Sequence, residues 1–426
     1  MTAAEAGTVD SRAAVRLIKV EALPRIVGVA GFSVRIKDGA VREAKVRTLE
    51  PPRFFEALLR GRSYADAPEM SARLCAMSSV SHVLAASAAV EMALGVEVAD
   101  PALLLLRRLL GCGEWLRSHV LHGYFLHAPD FLGCEDAFGL SERHPGALER
   151  ALRMKKLGNE LLDLVGGRAV HPVNTRVGGF CRAPRRERLR QLIAPLTRAV
   201  EDAVDTVRLF AGLPFPDYED DYTFVALHHP EEYAIGRGRI RSSRGLEIAV
   251  AEFEDRFDGE HIPPGERLLV GPLARYALNF AQLTPLCQEL AGAAGLGPVV
   301  RNPFRSLVVR AIETLYACQE ALRLVEAYQE PERAALEIVP RSGRGHGCVE
   351  AARGLCHHRY DLDEDGRILE ARIESPTVRN QGVMEADLRG VAQAGLALSD
   401  ERLKRRCEQA IRNHDPGVSG ARALAN

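Results

Sequence analysis

The sequence predicts a mainly α-helical fold with small peripheral β-sheets, an α+β protein whose core is a helical bundle. Two observations carry this. Apolar residues recur at three- and four-residue spacing over long stretches: Leu189, Leu192, Ile193, Leu196, Val200, Val204 and Val207 mark one buried stripe of a helix. Alternating patterns are confined to short runs bounded by turn residues. No internal repeat, low-complexity tract or linker divides the 426 residues, so 1–426 read as one domain.

Residues 14–50 form an expected N-terminal hairpin region. Val15, Leu17, Lys19 and Glu21 alternate with their neighbours, as do Phe32, Val34 and Ile36, and Lys37-Asp38-Gly39-Ala40 supplies the turn. A short helix is expected from Pro52 to Arg60. The helical core, 71–211, opens with one long helix from Ser71, its N-cap, to Leu94. Helical patterning continues over Leu103 to Phe125, Ala147 to Leu164 and Ala183 to Ala211. Residues 222–270 are a strand-like, turn-rich insertion. Helices resume in 272–426, first from Pro272 to Ala294, stopped by Gly295, then from Phe304 to Tyr328. A hairpin over 354–373 turns at Asp363-Glu364-Asp365-Gly366, and two closing helices are expected near 385–396 and 400–414.

Composition narrows the function. Lys and Arg total 56 against 57 for Asp and Glu, so the net charge of −1 attracts neither nucleic acid nor an anionic membrane. The most apolar run, Ala102 to Leu106, breaks at Arg107-Arg108 and is too short to span a bilayer. Residues 1–12 lack a secretory pattern, which predicts a cytoplasmic protein. Nine cysteines, an odd number without any C-x-x-C pair, predict reduced thiols.

Two segments carry the chemistry. Arg73-Leu74-Cys75-Ala76-Met77-Ser78-Ser79-Val80-Ser81-His82 lies near the N-terminus, and Asn413-His414-Asp415-Pro416-Gly417-Val418-Ser419-Gly420-Ala421-Arg422-Ala423 near the C-terminus. Between them come Pro51-Pro52-Arg53-Phe54-Phe55-Glu56, His127-Ala128-Pro129-Asp130-Phe131-Leu132-Gly133, His171-Pro172-Val173-Asn174-Thr175-Arg176, Glu350-Ala351-Ala352-Arg353-Gly354 and Ser375-Pro376-Thr377-Val378-Arg379-Asn380. Together these resemble the large subunit of NiFe hydrogenases, in the cytoplasmic, pyridine-nucleotide-linked branch, along nearly the whole chain.

The resemblance implies a nickel centre held by four thiolates, two from R-x-C-G-x-C and two from D-P-C-x-x-C. Soft, deprotonated sulfur makes such a nickel electron-rich. Cys75 alone keeps its sulfur. The other three positions are Ser78, Gly417 and Gly420, and the family's terminal His falls at Ala423. Family members carry a C-terminal extension clipped after that His; a chain ending at Asn426 leads to the expectation that metal-gated maturation is obsolete here. The resemblance also implies a vestigial pocket of Glu21, Arg73, Cys75, Ser78, His82, Arg353, Ser375 and Thr377. On one continuous helix Cys75, Ser78 and His82 would share a face. No metal and no cofactor are expected in this chain, and iron–sulfur clusters are expected in a small-subunit-like partner. Flavin- and NAD(P)-binding diaphorase-type subunits are candidate further partners. The expected role is a structural or electron-transfer scaffold. The alternatives are an assembly scaffold for cofactor maturation using Cys75, or a redox subunit reusing the vacated pocket for another ligand.

Other clusters read more simply. His346, Cys348, Cys356, His357 and His358 match no standard zinc spacing, and His357 and His358 point to opposite sheet faces. His119, His122 and His127 sit around a helix end, either packed or lining a partner interface. Gly236-Arg237-Gly238-Arg239 lacks the third glycine of a dinucleotide fingerprint.

Overall fold

The computed structural model describes residues 15–48, 52–257 and 266–417. Four helices, Pro101–Val120, Pro145–Gly166, Ile193–Ala211 and Ser306–Ala327, make the central bundle. Leu106, Leu110, Trp115, Leu161, Leu196 and Leu315 fill its interior, each costing roughly 2–5 kcal/mol if truncated to alanine. The first of these helices starts two residues before the patterning, because Asp100 Oδ1 accepts from the Ala102 and Leu103 amides at 2.8 and 3.2 Å and Pro101 fills the first position. Among the described residues no helix is long and apolar enough to cross a membrane.

Among the described residues three sheets flank the bundle, with a pair of two-residue strands, Thr175–Arg176 and Gly179–Phe180, beside them. Arg16–Val20, Ala30–Lys37 and Ala40–Thr48 form an antiparallel sheet in sequence order. Its inward residues Ile18, Phe32, Val34 and Ile36 pack on Leu388, Leu403 and Ile411 of the closing helices Gln381–Ala394 and Asp400–Arg412. The middle sheet runs in the order Glu247–Ile248, Arg239–Ser242, Thr223–His228, Leu268–Leu269, its last pair parallel. The third sheet comprises Gly343–Ala351, Gly354–Leu362 and Ile368–Glu374, and the helix Ser79–Leu94 lies across it.

Several expectations about boundaries are corrected. The single helix expected from Ser71 to Leu94 is two: Ala67–Ser71 and Ser79–Leu94, with irregular backbone between. The cause is long-range. Glu114, buried on the neighbouring helix, takes the Val80 and Ser81 amides at 2.9 and 3.2 Å and so terminates the second helix as a cap. Arg117, one turn on, donates to the carbonyls of Ala76 and Met77 at 3.0 Å each. Ser71 is therefore no N-cap; its hydroxyl donates back to Ala67 O at 2.6 Å. The stretch from Pro272 likewise splits into Pro272–Asn279 and Pro285–Ala293, since Pro285 cannot continue a helix and Thr284 caps the next. Ala183 to Ala211 splits into Arg186–Arg190 and Ile193–Ala211.

The strand Gly343–Ala351 was not expected at all, because glycine at every second position weakens a strand. Packing explains it. A Cβ at Gly343, Gly345 or Gly347 would lie 2.1, 2.0 or 2.2 Å from the carbonyls of Ala93, Ala89 and Ala85. The strand's two-residue repeat thus matches the helix's four-residue repeat, backbone against backbone. Gly345→Ala is expected to lower the unfolding free energy by about 1–3 kcal/mol or more. Gly382→Ala, whose Cβ meets nothing within 4 Å on the Gln381–Ala394 helix, is expected to be neutral or stabilising by up to about 1 kcal/mol. Urea denaturation of the two variants checks the contrast.

Candidate functional site

The site gathers where the turn after Gly343–Ala351, the irregular stretch before Ser79 and the segment after the last helix meet. Arg353, in that turn, is buried. Its Nε donates to Asp415 O at 2.9 Å and one terminal nitrogen to Asp415 Oδ1 at 3.1 Å. The other terminal nitrogen lies 3.4 Å from both Ser78 Oγ and Ser118 Oγ. Burial works against the guanidinium's charge, but Asp415 and the nearby Cys75 outweigh it and its pKa moves up. Asp415 sits at φ 48°, a left-handed conformation that aspartate tolerates better than most residues.

A second arginine, Arg310 of Ser306–Ala327, comes within 3.8 Å of Asp415 Oδ2 and donates to Ala352 O and Asn413 O at 3.4 and 3.5 Å. Gly417 is held by its backbone. Thr377 Oγ1 donates to Gly417 O and accepts from Gly417 N, each at 3.1 Å, and Val27 pairs with Gly417 as a parallel bridge. A Cβ built on Gly417 would meet Arg353 Nε at 2.8 Å and Cδ at 3.0 Å. The volume into which a side chain at 417 would project is filled by Arg353. A separate cavity of about 20 Å³, lined by Val270, Leu273 and Pro303 as well as Arg310, Arg353 and His414, has room for roughly one water; Cys75, Ser78 and Thr377 do not line it.

The structure brings Ser78, Arg353, Thr377 and Gly417 together, with Cys75 half-buried and free at the edge. Ser375 is close by in sequence and caps the short helix Pro376–Arg379, accepting from Val378 N at 3.5 Å. Three expected pocket residues lie elsewhere. Glu21 is exposed and ion-paired with Lys19, whose hydrogen bond lowers its pKa. Arg73 is exposed and bonded to Glu69. Cys75, Ser78 and His82 do not share a helix face, since Cys75 and Ser78 precede the first turn. The His82 ring turns instead to His358 and Cys356, its Nδ1 at 3.0 Å from His358 Nε2 and 3.4 Å from Cys356 Sγ. Gly420 and Ala423 lie outside the described residues.

Sequence reasoning missed Asp415, Ser118 and Arg310. Asp415 stands inside the C-terminal motif, which is a signal, but its partner is 62 positions away. The histidines and cysteines between His346 and His358 divide between opposite sheet faces. His82, Cys356 and His358 face the helix, and Glu254, His346 and His357 face away; each set has ligand atoms within 4.8 Å of one another. His119, His122 and His127 are buried rather than at a surface. His119 Nε2 lies 3.0 Å from Glu313, His122 Nε2 2.8 Å from Arg412 O, and His127 stacks on His122 and Phe131 with centroids 5.2 Å apart in each case.

Two outcomes follow from this geometry. Asp415→Ala removes the carboxylate that is ion-paired with two buried arginines and is expected to cost about 3–5 kcal/mol, read by urea denaturation against Asp221→Ala on the surface. The second concerns pH. Burial lowers His119 to about 4 despite Glu313, and pulls His122 and His127 well below their ordinary 6.5. Below pH 6.5 the unfolded chain takes up protons that the folded chain refuses. The histidines' contribution to stability is therefore full above that pH and falls toward pH 4, by up to about 1.4 kcal/mol per pH unit per histidine. Denaturation midpoints between pH 7 and 5 check this, and His127→Phe is expected to flatten the slope.

Residues 53–148 match the family model described as nickel-dependent hydrogenase. Sulfhydrogenase 2 subunit alpha of Pyrococcus furiosus is 32% identical, over 95% of this chain and 98% of that protein. The NAD-reducing hydrogenase HoxS subunit beta of Cupriavidus necator is 26% identical over 95% and 94%. In fold, the chain is similar to a crystal structure of an NAD+-reducing [NiFe]-hydrogenase in its H2-reduced state. The TM-score is 0.86 at 24% identity, covering 96% of this chain and all of that one. Identity at this level along nearly the full length of both partners places the chain in the nickel-dependent hydrogenase family, among the large (alpha) subunits.

Proposed function

We propose that this chain is a hydrogenase large subunit without a competent nickel–iron site, acting as a structural and electron-transfer scaffold in a cytoplasmic redox complex. Its partner is an iron–sulfur small subunit, and flavin- and NAD(P)-binding subunits complete the complex. The observation that carries this reading is Arg353 lying where a side chain at 417 would project. The donor chemistry agrees. Glycine at 417 offers no side-chain ligand, Ser78 offers a hard hydroxyl already within reach of Arg353, and Cys75 contributes one sulfur. These residues do not fit a four-thiolate nickel centre. The pyridine-nucleotide link is carried over from the NAD-reducing relative.

Two other readings are weighed by the same geometry. Reuse of the pocket for another ligand is opposed by Arg353, which fills the space that a side chain at 417 would take. An assembly role is favoured by one feature, the half-buried free thiol of Cys75 beside Arg117 and Arg353.

Purifying the native assembly and identifying its chains by mass spectrometry tests the proposal. An iron–sulfur protein in about equal amount, with no hydrogen-dependent dye reduction, is the expected result. Hydrogen oxidation by the assembly overturns it. Maturation factors that co-purify, and are lost in Cys75→Ala, replace it with the assembly reading.

A further inference from the structure

The sheet Gly343–Ala351, Gly354–Leu362 and Ile368–Glu374 carries a group of polar side chains that the Arg353 site does not use. Cys356 and His358 stand two residues apart on one strand, so both face the helix Ser79–Leu94. From that helix His82 reaches down. All three side chains are buried, and one donor atom from each lies within 4.8 Å of the other two.

Hydrogen-bond bookkeeping fixes the protonation of one ring. Ser71 Oγ donates to Ala67 O at 2.6 Å, which uses its single proton. Tyr360 Oη, 3.0 Å from Ser71 Oγ, must then donate to it. His358 Nδ1, 3.0 Å from Tyr360 Oη, must in turn donate to Tyr360. A neutral ring with Nδ1 protonated leaves His358 Nε2 with a bare lone pair, aimed at His82 Nδ1 3.0 Å away. His82 Nδ1 also lies 3.4 Å from Cys356 Sγ. That nitrogen has one proton or one lone pair, so it can make one full hydrogen bond to two neighbours. A cation would engage both lone pairs and the sulfur together.

We infer that His82, Cys356 and His358 form a buried three-donor site for one thiophilic d10 cation, Zn2+ or Cu+. Metal–nitrogen bonds of about 2.0–2.1 Å and metal–sulfur bonds of about 2.3 Å put two ligands of one ion roughly 3–4.4 Å apart. The observed 3.0 and 3.4 Å fall in that range. One thiolate and two imidazoles are the soft and borderline donors these ions prefer. The chain from His358 through Tyr360 and Ser71 is the kind of outer support that orients a ligating imidazole. Binding forms one metal–sulfur and two metal–nitrogen bonds, and the Cys356 thiol proton goes to solvent; no electron moves. With the donors buried, the ion enters during folding and pins the helix after Ser78 to the sheet that carries Arg353. This site is independent of how the Arg353 pocket is read.

The test uses the full chain purified anaerobically, with metal content measured by plasma mass spectrometry. Separate titrations add Zn2+, and Cu+ under reducing conditions, each against a competing chelator. About one equivalent of either ion bound tightly is expected, and the ion found in the chain as purified names the resident metal. Cys356→Ser and His358→Ala should abolish that equivalent, and Tyr360→Phe should weaken it by about 10-fold. Cys348→Ser, on the opposite sheet face, should leave it unchanged. Co2+ loading gives a second signature, a thiolate-to-cobalt absorption that Cys356→Ser removes. Wild-type chain that binds neither ion at one equivalent overturns the site, whatever the variants do. Undiminished binding in folded Cys356→Ser overturns it too.

Discussion

The buried pairing of Arg353 with Asp415 is the constraint on which the candidate site depends. It ties the turn of the third sheet to the segment after the last helix, and through Ser78 and Ser118 to the Cys75 stretch and the central bundle. A guanidinium out of water is tolerable only when its donors are spent, and here the nearest acceptors are backbone and carboxylate oxygens of residue 415. Arg310 shares the same carboxylate, and burial lowers its pKa to about 10 even so. Two cations on one anion is a tense arrangement, one that holds the segment after the last helix close to the third sheet.

Deeper in the bundle the scaffold has its own polar centre. Arg275 bonds Glu313 through two nitrogens at 2.9 and 2.8 Å and Glu350 through a third contact at 2.9 Å, with its guanidinium 4.4 Å from the centroid of Trp115. One cation between two carboxylates divides their behaviour. Burial opposes charge on both, but Arg275 and His119 pull Glu313 down to about 2, while Glu350 is pushed up to about 7. This network joins the helices Pro101–Val120, Pro272–Asn279 and Ser306–Ala327 to the third sheet through side chains and backbone carbonyls of the chain itself. A fold with such a centre can keep its shape when ligands at its periphery change, which is consistent with a fold likeness that spans nearly the whole chain.

What could be read from the sequence divides by range. Helix existence was legible wherever an apolar stripe repeated, because that period is local. Helix boundaries were not, since the cap that starts the helix at Ser79 is Glu114, 34 positions beyond Val80. The glycine-rich strand was hidden because its glycines answer to the alanine carbonyls of another element. In the site, Arg353, Thr377 and Ser78 could be named by resemblance, yet Asp415, their electrostatic anchor, could not be paired. Glu21 shows the limit of motif position: Lys19, two residues back, offers its carboxylate a partner on the solvent side. The contacts of His82 are not legible in the sequence, because Cys356 and His358 approach it only once the sheet forms.

Whether nickel can reside beside Cys75 is decided most directly by diffraction. Crystals of the native assembly, measured on both sides of the nickel absorption edge, would locate that metal without reference to activity. No anomalous peak within bonding distance of Cys75 Sγ, with Arg353 density against Gly417, is the expected result. A nickel peak bonded to that sulfur, with Arg353 displaced from Gly417, would contradict it.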